Sequence, residues 1–345
     1  MFDFINVPLG WVLRFIADIF NNNFAMAVFV FTLLINILFI PLTIKSQKSS
    51  VQQLRLKPKL DELKKKYGDD RQKISQETSK LYQEEKVSMS GGCLPMIIRL
   101  VIMMSIYTLI LSPLTYMANI DEAAVVSDKI NAVISEELED ADDARKAEIN
   151  KIIKWDTGRP ELTLVNLIRS DDPEGTVKKL YTECGKEKEY SKIEKDLQTV
   201  IKRDQNEETQ IDYDFFGIDL TGTPDFDWNI FEAFRLNWIL PILAFLSQIL
   251  SSILSMKMQK KTNPDAPSMS GMLLMMPVIS LFIGFSLPGG VTFYWACSSL
   301  IGGLLQVAVQ YYYGPHKLLA KMRGKELTKQ SDFEAGQISK LSSDE

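Results

Sequence analysis

A chain of 345 residues with 46% hydrophobic residues, 24% charged residues and a formal net charge of −5 is long enough for more than one structural unit. Its three cysteines, Cys93, Cys184 and Cys297, form no CxxC pair, and its one histidine, His316, lies in a basic tail. That argues against a disulfide framework or a zinc site, and it leaves almost no room for histidine-based catalysis.

The mean hydropathy near zero hides a strong segregation of charge from apolar runs. A bilayer core about 30 Å thick needs roughly 20 apolar residues in a helix. In residues 1–23, Leu9, Val12, Leu13, Phe15, Ile16, Ile19 and Phe20 stand beside Arg14 and Asp18. This pattern predicts an amphipathic helix in the outer membrane interface. An uncleaved signal sequence is the alternative, and cleavage is not expected, because a basic start and a small-residue site are both missing.

Residues 24–44 form the first predicted span. Residues 45–92 carry 12 basic and 7 acidic side chains. Leu54, Leu56, Leu60, Leu63 and Tyr67 mark one weak apolar stripe, and Ile74, Thr78, Leu81 and Tyr82 mark another. Gly68-Asp69-Asp70 separates them, so the segment reads as a helical hairpin. Lys57, Lys59, Lys64, Lys65, Lys66 and Tyr67 are the candidate docking face for a ribosome, a nascent chain or a translocon. A solvated charged loop is the plainer reading. Residues 93–117 are the second span.

An acidic insert, 118–235, follows. From Met117 to Arg235 there are 29 acidic and 16 basic side chains. Helical patterns run over Ala123–Lys154, Leu162–Arg169 and Thr176–Arg203. Residues 236–256 are the third span, and 257–268 a short loop with Lys257, Lys260 and Lys261. Residues 269–313 hold the fourth and fifth spans, with Leu287-Pro288-Gly289-Gly290 read as the turn between them. Residues 314–345 form a basic tail. The expected fold is an all-α membrane protein of five spans with a cytoplasmic helical hairpin and an external, mostly helical insert. Buried helices of a large soluble protein would not supply five such runs. Basic loops stay in the cytoplasm, so the N-terminus is expected outside and the C-terminus inside.

Polar residues inside a span are costly and mark function. Arg99 lies about seven residues past the cytoplasmic end of its span, roughly 10 Å deep at about 1.5 Å per residue. By the same arithmetic Asn36 lies roughly 13 Å deep, and Gln248 and Gln306 roughly 12–14 Å. Thr32, Ser105, Ser247, Ser298 and Ser299 add hydroxyls nearby or deeper. Four helices thus place their strongest polar residue at one level, which predicts a wet cavity open to the cytoplasm and closed outward. Arg99 snorkelling to the headgroups is the alternative for that residue. Helix–helix hydrogen bonding is the alternative for Gln248 and Gln306.

The spans hold no His, Asp or Glu, and Ser298 and Ser299 have no base in reach, so an enzyme is not expected. A channel or transporter would carry polar residues through the whole depth and often inverted repeats. It stays as the alternative, with a dedicated assembly scaffold as a third reading.

Several stretches resemble the YidC/Oxa/Alb family of membrane insertases. They are Asn36-Ile-Leu-Phe-Ile-Pro-Leu-Thr-Ile-Lys45, Lys57-Pro-Lys-Leu-Asp-Glu-Leu-Lys-Lys-Lys-Tyr67, Gly92-Cys-Leu-Pro-Met-Ile-Ile-Arg99, Trp238-Ile-Leu-Pro-Ile-Leu-Ala244, Met275-Met-Pro-Val278, Leu287-Pro-Gly-Gly290 and Phe293-Tyr-Trp295. The resemblance covers about Val7–Ile120 and Phe215–Tyr313. It implies a five-helix core with a cytoplasm-facing hydrophilic groove, in a multi-pass protein of the bacterial cell membrane. It implies insertion of nascent membrane proteins, alone or with the Sec translocon and ribosome, among membrane lipids. No nucleotide, metal or other cofactor is implied, and no specific DNA binding is expected. The client-binding groove would use Arg99, Asn36, Gln248, Gln306, Thr32, Ser105, Ser298 and Ser299.

The chain departs from the family pattern in two places. The family's groove arginine sits in span one, where this chain has Asn36, and Arg99 stands in span two, where the family commonly has Gln. The positive charge has moved to a facing helix at similar depth. The insert, about Asp121 to Tyr213, replaces a short loop. No cysteine precedes Cys93, so an N-terminal lipid anchor is not expected.

Overall fold

In the computed structural model of the chain, the described residues are 3–335 apart from 69, 86, 88–93, 140, 207–209, 225–234, 263–269, 315–316, 319, 322–323, 325–326 and 329. Within helices, the side chains at 50, 54, 94–96, 99, 258–262 and 270–274 also lie outside the description. The expectations for the side chains of Leu54, Arg99, Lys260 and Lys261, and for Cys93, His316, Arg323 and Lys325, therefore lie outside the described residues.

The chain divides into two compact units. The insert unit is 1–34, 102–249 and 271–300, and the hairpin unit is 35–101, 250–270 and 301–345.

The insert unit begins with α1, Asp3–Ile19, which buries Asn6, Gly10, Leu13, Ile16 and Ala17. The opposite face exposes Phe4, Val7, Trp11, Phe15 and Ile19. The apolar residues of this helix therefore split between two faces, where the sequence had suggested one face to the lipid. Gly10 allows the inward face to close. A Cβ there would stand 2.4 Å from the Tyr116 carbonyl oxygen.

The first predicted span begins as α2, Phe24–Leu38. It stops at Phe39, and α3, Ile40–Tyr67, continues with a bend of 42°. Pro41 explains the break, since it has no N–H for the residue 37 carbonyl and its ring crowds that carbonyl. The predicted border at 44/45 is thus not a helix end, and α3 runs on into the hairpin.

The second span is also broken. Its helix, α5, Leu94–Leu111, ends before Ser112, and Pro113–Tyr116 forms a separate turn, α6. Pro113 disfavours helical backbone at Ser112. The side chain of Glu161 covers the N-terminus of α6. It accepts from the Thr115 amide at 2.7 Å and the Thr115 hydroxyl at 2.8 Å.

The insert itself folds as α7 Asp121–Glu139, α8 Asp143–Ile152, α9 Pro160–Ile168, α10 Pro173–Glu183 and α11 Glu187–Asp204. Asp142 and Asp172 cap α8 and α10 through the Arg145 and Gly175 amides. In α11, Tyr190, Ile193, Leu197, Val200 and Ile201 are buried at three- and four-residue spacing. The core includes Val126, Ile130, Val165, Ile168, Val177 and Leu180. Arg169 pins the end of α11 by a forked ion pair to buried Asp204, at 3.0 and 3.2 Å, and donates to the Ile211 carbonyl at 3.1 Å.

A small β-hairpin follows, β1 Asp214–Phe215 with β2 Ile218–Asp219. Phe216 and Gly217 both have positive φ, at 52° and 81°, as a two-residue primed turn requires. No alternating run announced it. This part of the insert grips helix ends. The Phe24 amide donates to the Asp212 carbonyl at 2.8 Å, and the Asp212 amide to the Asn22 carbonyl at 2.9 Å. Phe215 packs on Phe293 and Tyr213 on Phe24, with centroids 4.8 and 5.0 Å apart.

The remaining helices are α12 Ile239–Thr262, preceded by a 3-10 turn at Leu236–Trp238, then α13 Ser270–Phe285 and α14 Gly289–Tyr313. Gly289 and Gly290 are not turn residues as the sequence suggested, but the first turn of α14. Their otherwise orphan amides donate to Gly222 O at 2.8 Å and Leu220 O at 2.7 Å. A Cβ on Gly290 would meet Phe24 at 3.0 Å and Ile110 at 3.1 Å. Gly290→Leu is therefore expected to destabilise the insert unit by about 1–3 kcal/mol, the usual cost of overpacking. Thermal unfolding in detergent checks this, and an unchanged midpoint would contradict the close approach.

Burial pushes the Glu161 carboxyl up to about 7, against hydrogen bonds from Thr115, the Leu114 amide and the Ser112 hydroxyl that lower it. The unfolded value is about 4.3. Between those values the folded chain holds a proton that the unfolded chain has released. Stability from this group is therefore fully present below about pH 4.3 and is lost as pH rises through 7. The expected fall is on the order of 1–3 kcal/mol. Comparing unfolding at pH 5 and pH 8 tests it, and Glu161→Gln should flatten the slope.

In the hairpin unit, α3 packs antiparallel to α4, Arg71–Glu84. Gly68 at φ +54° ends α3, and Asp70 caps α4 through the Lys73 amide at 3.1 Å. Glu85 pairs with Lys59 and, at 3.7 Å, with Arg55. Lys59, Lys64, Lys65 and Lys66 are exposed, and Lys57 and Tyr67 are half-buried. Lys66 lies over the Tyr67 ring, 5.2 Å from its centroid.

The chain is mostly helical. Among the described residues two helices are long and apolar enough to cross a membrane, Leu236–Lys257 and Gly289–Tyr313. The bent pair Phe24–Leu38 and Ile40–Gln53 makes a third if it is one span. Leu100–Leu111 and Met275–Phe285 are shorter apolar helices.

Candidate functional site

Asn36 and Gln306, read from the sequence as two members of a polar layer, line one cavity of 270 Å³ in the hairpin unit. One wall carries Asn36 from the end of α2, and Ile40, Thr43 and Gln47 at three- and four-residue spacing on one face of α3. The other carries Gly302, Gln306 and Gln310, four residues apart on α14. Thr43, Ser46, Gln47 and Gln310 were missed by sequence reasoning, although stepping three or four residues from Asn36 and Gln306 finds them. All the lining side chains are uncharged. The volume is large enough for several waters, and amides and hydroxyls are suitable partners for water.

Glycine sets the width of the cavity. A Cβ at Gly302 would stand 3.4 Å from Asn36 Oδ1. At Gly303, on another side of α14, a Cβ would be 3.0 Å from Ser251 Oγ, so α12 and α14 approach closely through small residues there.

The other candidates fall elsewhere. Gln248 Oε1 accepts from the Ser280 hydroxyl of α13 at 2.7 Å, within the insert unit, so helix–helix bonding describes its contact. Ser280 Oγ also stands 2.8 Å from the Pro277 carbonyl. Thr32 is buried, and its hydroxyl donates to the Val28 carbonyl at 2.6 Å. Ser247 likewise donates to Ala244 O at 2.8 Å. The Ser105 hydroxyl is fully buried and meets no partner among the described residues. Ser298 and Ser299 are half-buried in the insert unit, and neither is among the residues that line the cavity. Arg99 lies in α5, and its side chain is outside the description. Among the described residues no group of three His, Cys, Asp or Glu could hold a metal.

The family model described as 60Kd inner membrane protein matches residues 15–154 and 196–316, more than half of the chain. The chain belongs to that family. Members of the 60Kd inner membrane protein family among curated proteins include several similar to this chain. It is 48% identical over 105 residues to "Membrane protein insertase YidC" of Haemophilus ducreyi, covering 30% of this chain and 19% of the relative. It is 41% identical over 108 residues to "Membrane protein insertase YidC 2" of Listeria innocua, covering 30% and 38%. It is 42% identical over 106 residues to "Membrane protein insertase YidC" of Caldanaerobacter subterraneus, covering 31% and 51%. These matches thus span between about a fifth and a half of each relative. Family membership and the apolar helices make the chain a membrane protein with several spans. Between its two matched stretches the family model leaves 155–195 unmatched, and these residues lie within the insert.

Proposed function

We propose that this chain is a membrane protein insertase. It accepts segments of nascent membrane proteins in the cavity between α2–α3 and α14 and releases them into the bilayer. In this reading the five apolar segments all span, the N-terminus is outside and the C-terminus is in the cytoplasm. The basic hairpin 45–92 faces the cytoplasm, where it docks a ribosome, a nascent chain or the Sec translocon. The single observation that carries the reading is the uncharged polar cavity shared by Asn36 and Gln306. A span-sized client needs water or polar partners for its hydrophilic flank while its apolar part moves to lipid.

Arg99 supplies the cation that draws acidic client residues inward. The similar relatives are named as insertases, in agreement with this reading.

A photoreactive residue placed at Gln306 should capture a stalled nascent span, and one at Phe293 should not. Capture at both positions, or at neither while reconstituted liposomes still insert a small two-span client, would sink the proposal.

A further inference from the structure

We propose that the turn between β1 and β2 is a membrane contact, with Phe216 entering the boundary between lipid headgroups and acyl chains beside the outer ends of α12 and α14. Phe216 is 87% exposed, more than any other large apolar side chain among the described residues. Its ring meets Phe215 edge-on, with centroids 4.8 Å apart, and stays open on its other sides. The backbone beneath it is strained. Phe216 stands at φ +52°, a conformation that a bulky residue rarely adopts. A two-residue hairpin turn favours Asn or Asp at this position, before a glycine such as Gly217. Folding alone therefore gains little from a phenylalanine here, because asparagine fits the backbone better and the ring packs on almost nothing within the chain.

The place of the turn names the occupant. Phe215 packs on Phe293, four residues into α14 and roughly 6 Å along its axis at about 1.5 Å per residue. Tyr213 packs on Phe24, the first residue of α2. A Cβ on Gly217 would stand 3.6 Å from Leu236 Cδ2, where the apolar run leading into α12 starts. The turn thus sits at the level where apolar helices of membrane-crossing length begin. Leu236 and Ile239 are exposed as well, so Phe216 adjoins a side of α12 that is already apolar and open. Lipid at that level removes the ring from water without desolvating a polar group. The flanking carboxylates set the depth. Asp214 and Asp219 are exposed, and they accept from the Gly217 amide at 2.9 Å and the Thr221 amide at 2.8 Å. A carboxylate is costly in hydrocarbon, so the ring enters while the strands stay in water. The inference rests on the reading, proposed above, that α12 and α14 cross the bilayer.

The test uses the full chain in nanodiscs of phosphatidylcholine and phosphatidylglycerol. Photoreactive benzoylphenylalanine in place of Phe216 keeps an aromatic ring there. Illumination should add the mass of one phospholipid to the chain, and the same probe in place of Lys188, an exposed residue of α11, should add none. A covalent dimer instead of a lipid adduct, or no adduct at all, would overturn the proposal. A second measurement places a spin label on Phe216→Cys after Cys93, Cys184 and Cys297 are changed to Ser. The label should collide more often with oxygen, which concentrates in lipid, than with a water-soluble nickel chelate, and the order should reverse at Lys188→Cys. Nickel access at 216 equal to that at 188 would sink the idea. Leu246→Cys, exposed ten residues into the apolar run from Leu236, reports the spans separately. Lipid contact at 246 with water at 216 defeats the turn alone, whereas water at both defeats the span placement on which it rests.

Discussion

Gly302→Leu is expected to cut insertion of a small two-span client by on the order of tenfold or more, about 1.4 kcal/mol on a barrier, while the protein stays folded. Gly302 faces Asn36 across the cavity, and a Cβ there already stands 3.4 Å from Asn36 Oδ1. Alanine makes ordinary contact and should be mild. Leucine carries apolar atoms past that point into a 270 Å³ space whose use depends on water and amides. The substitution also replaces a helix-interior glycine, which favours the helix itself by roughly 0.5–1 kcal/mol. Stability and activity should therefore move in opposite directions. The measurement is protease protection of the client in liposomes beside thermal unfolding of the same preparation. A leucine variant that inserts at the rate of the parent would remove the cavity from the mechanism.

The second large effect concerns the cation. Arg99→Ala should impair insertion strongly, and Asn36→Arg combined with Arg99→Gln should restore much of it. A unit charge acting on a carboxylate about 8 Å away at an effective dielectric near 20 is worth about 2 kcal/mol. That corresponds to roughly thirtyfold in a rate. The field depends on where the charge stands and not on which helix carries it. Asn36 lines the cavity and faces a glycine, so a longer side chain has room there. The swap also matches the arrangement that the family resemblance implies for span one. Insertion assays on the single and double variants decide the matter. A double variant as inactive as Arg99→Ala would show that position 99 acts through something other than its charge.

Much of the helical architecture was legible because it is local. Apolar length, basic runs and caps such as Asp70 act within a few residues, and they marked the helices of the hairpin and the insert. Asn36 and Gln306 were singled out, together with Arg99 and Gln248, because a polar group inside an apolar helix is costly wherever it points, and counting along the helices gives all four one expected depth. The same logic failed to separate them from Gln248. All three are amides in apolar helices, and only the neighbour decides their role. Gln248 meets the Ser280 hydroxyl of another helix, whereas Gln306 meets a cavity.

The helix breaks at Phe39 and Ser112 were overlooked because hydropathy is indifferent to proline, while the backbone is not. The two glycines at 289–290 looked like a turn by composition. Their role as the first turn of α14 arises from the carbonyls of Leu220 and Gly222, about 70 residues earlier in the chain.

The order of apolar and charged segments along the chain, by itself, made this a helical membrane protein and put its polar residues at particular turns of particular helices, since those properties are sums over adjacent residues. Which of those residues share a cavity, which face of α1 turns inward, and how the insert's last strands hold the helix ends were decided by packing between residues distant in sequence. Burial and hydrogen bonding are properties of what a side chain finally meets, and a one-dimensional pattern does not contain that partner.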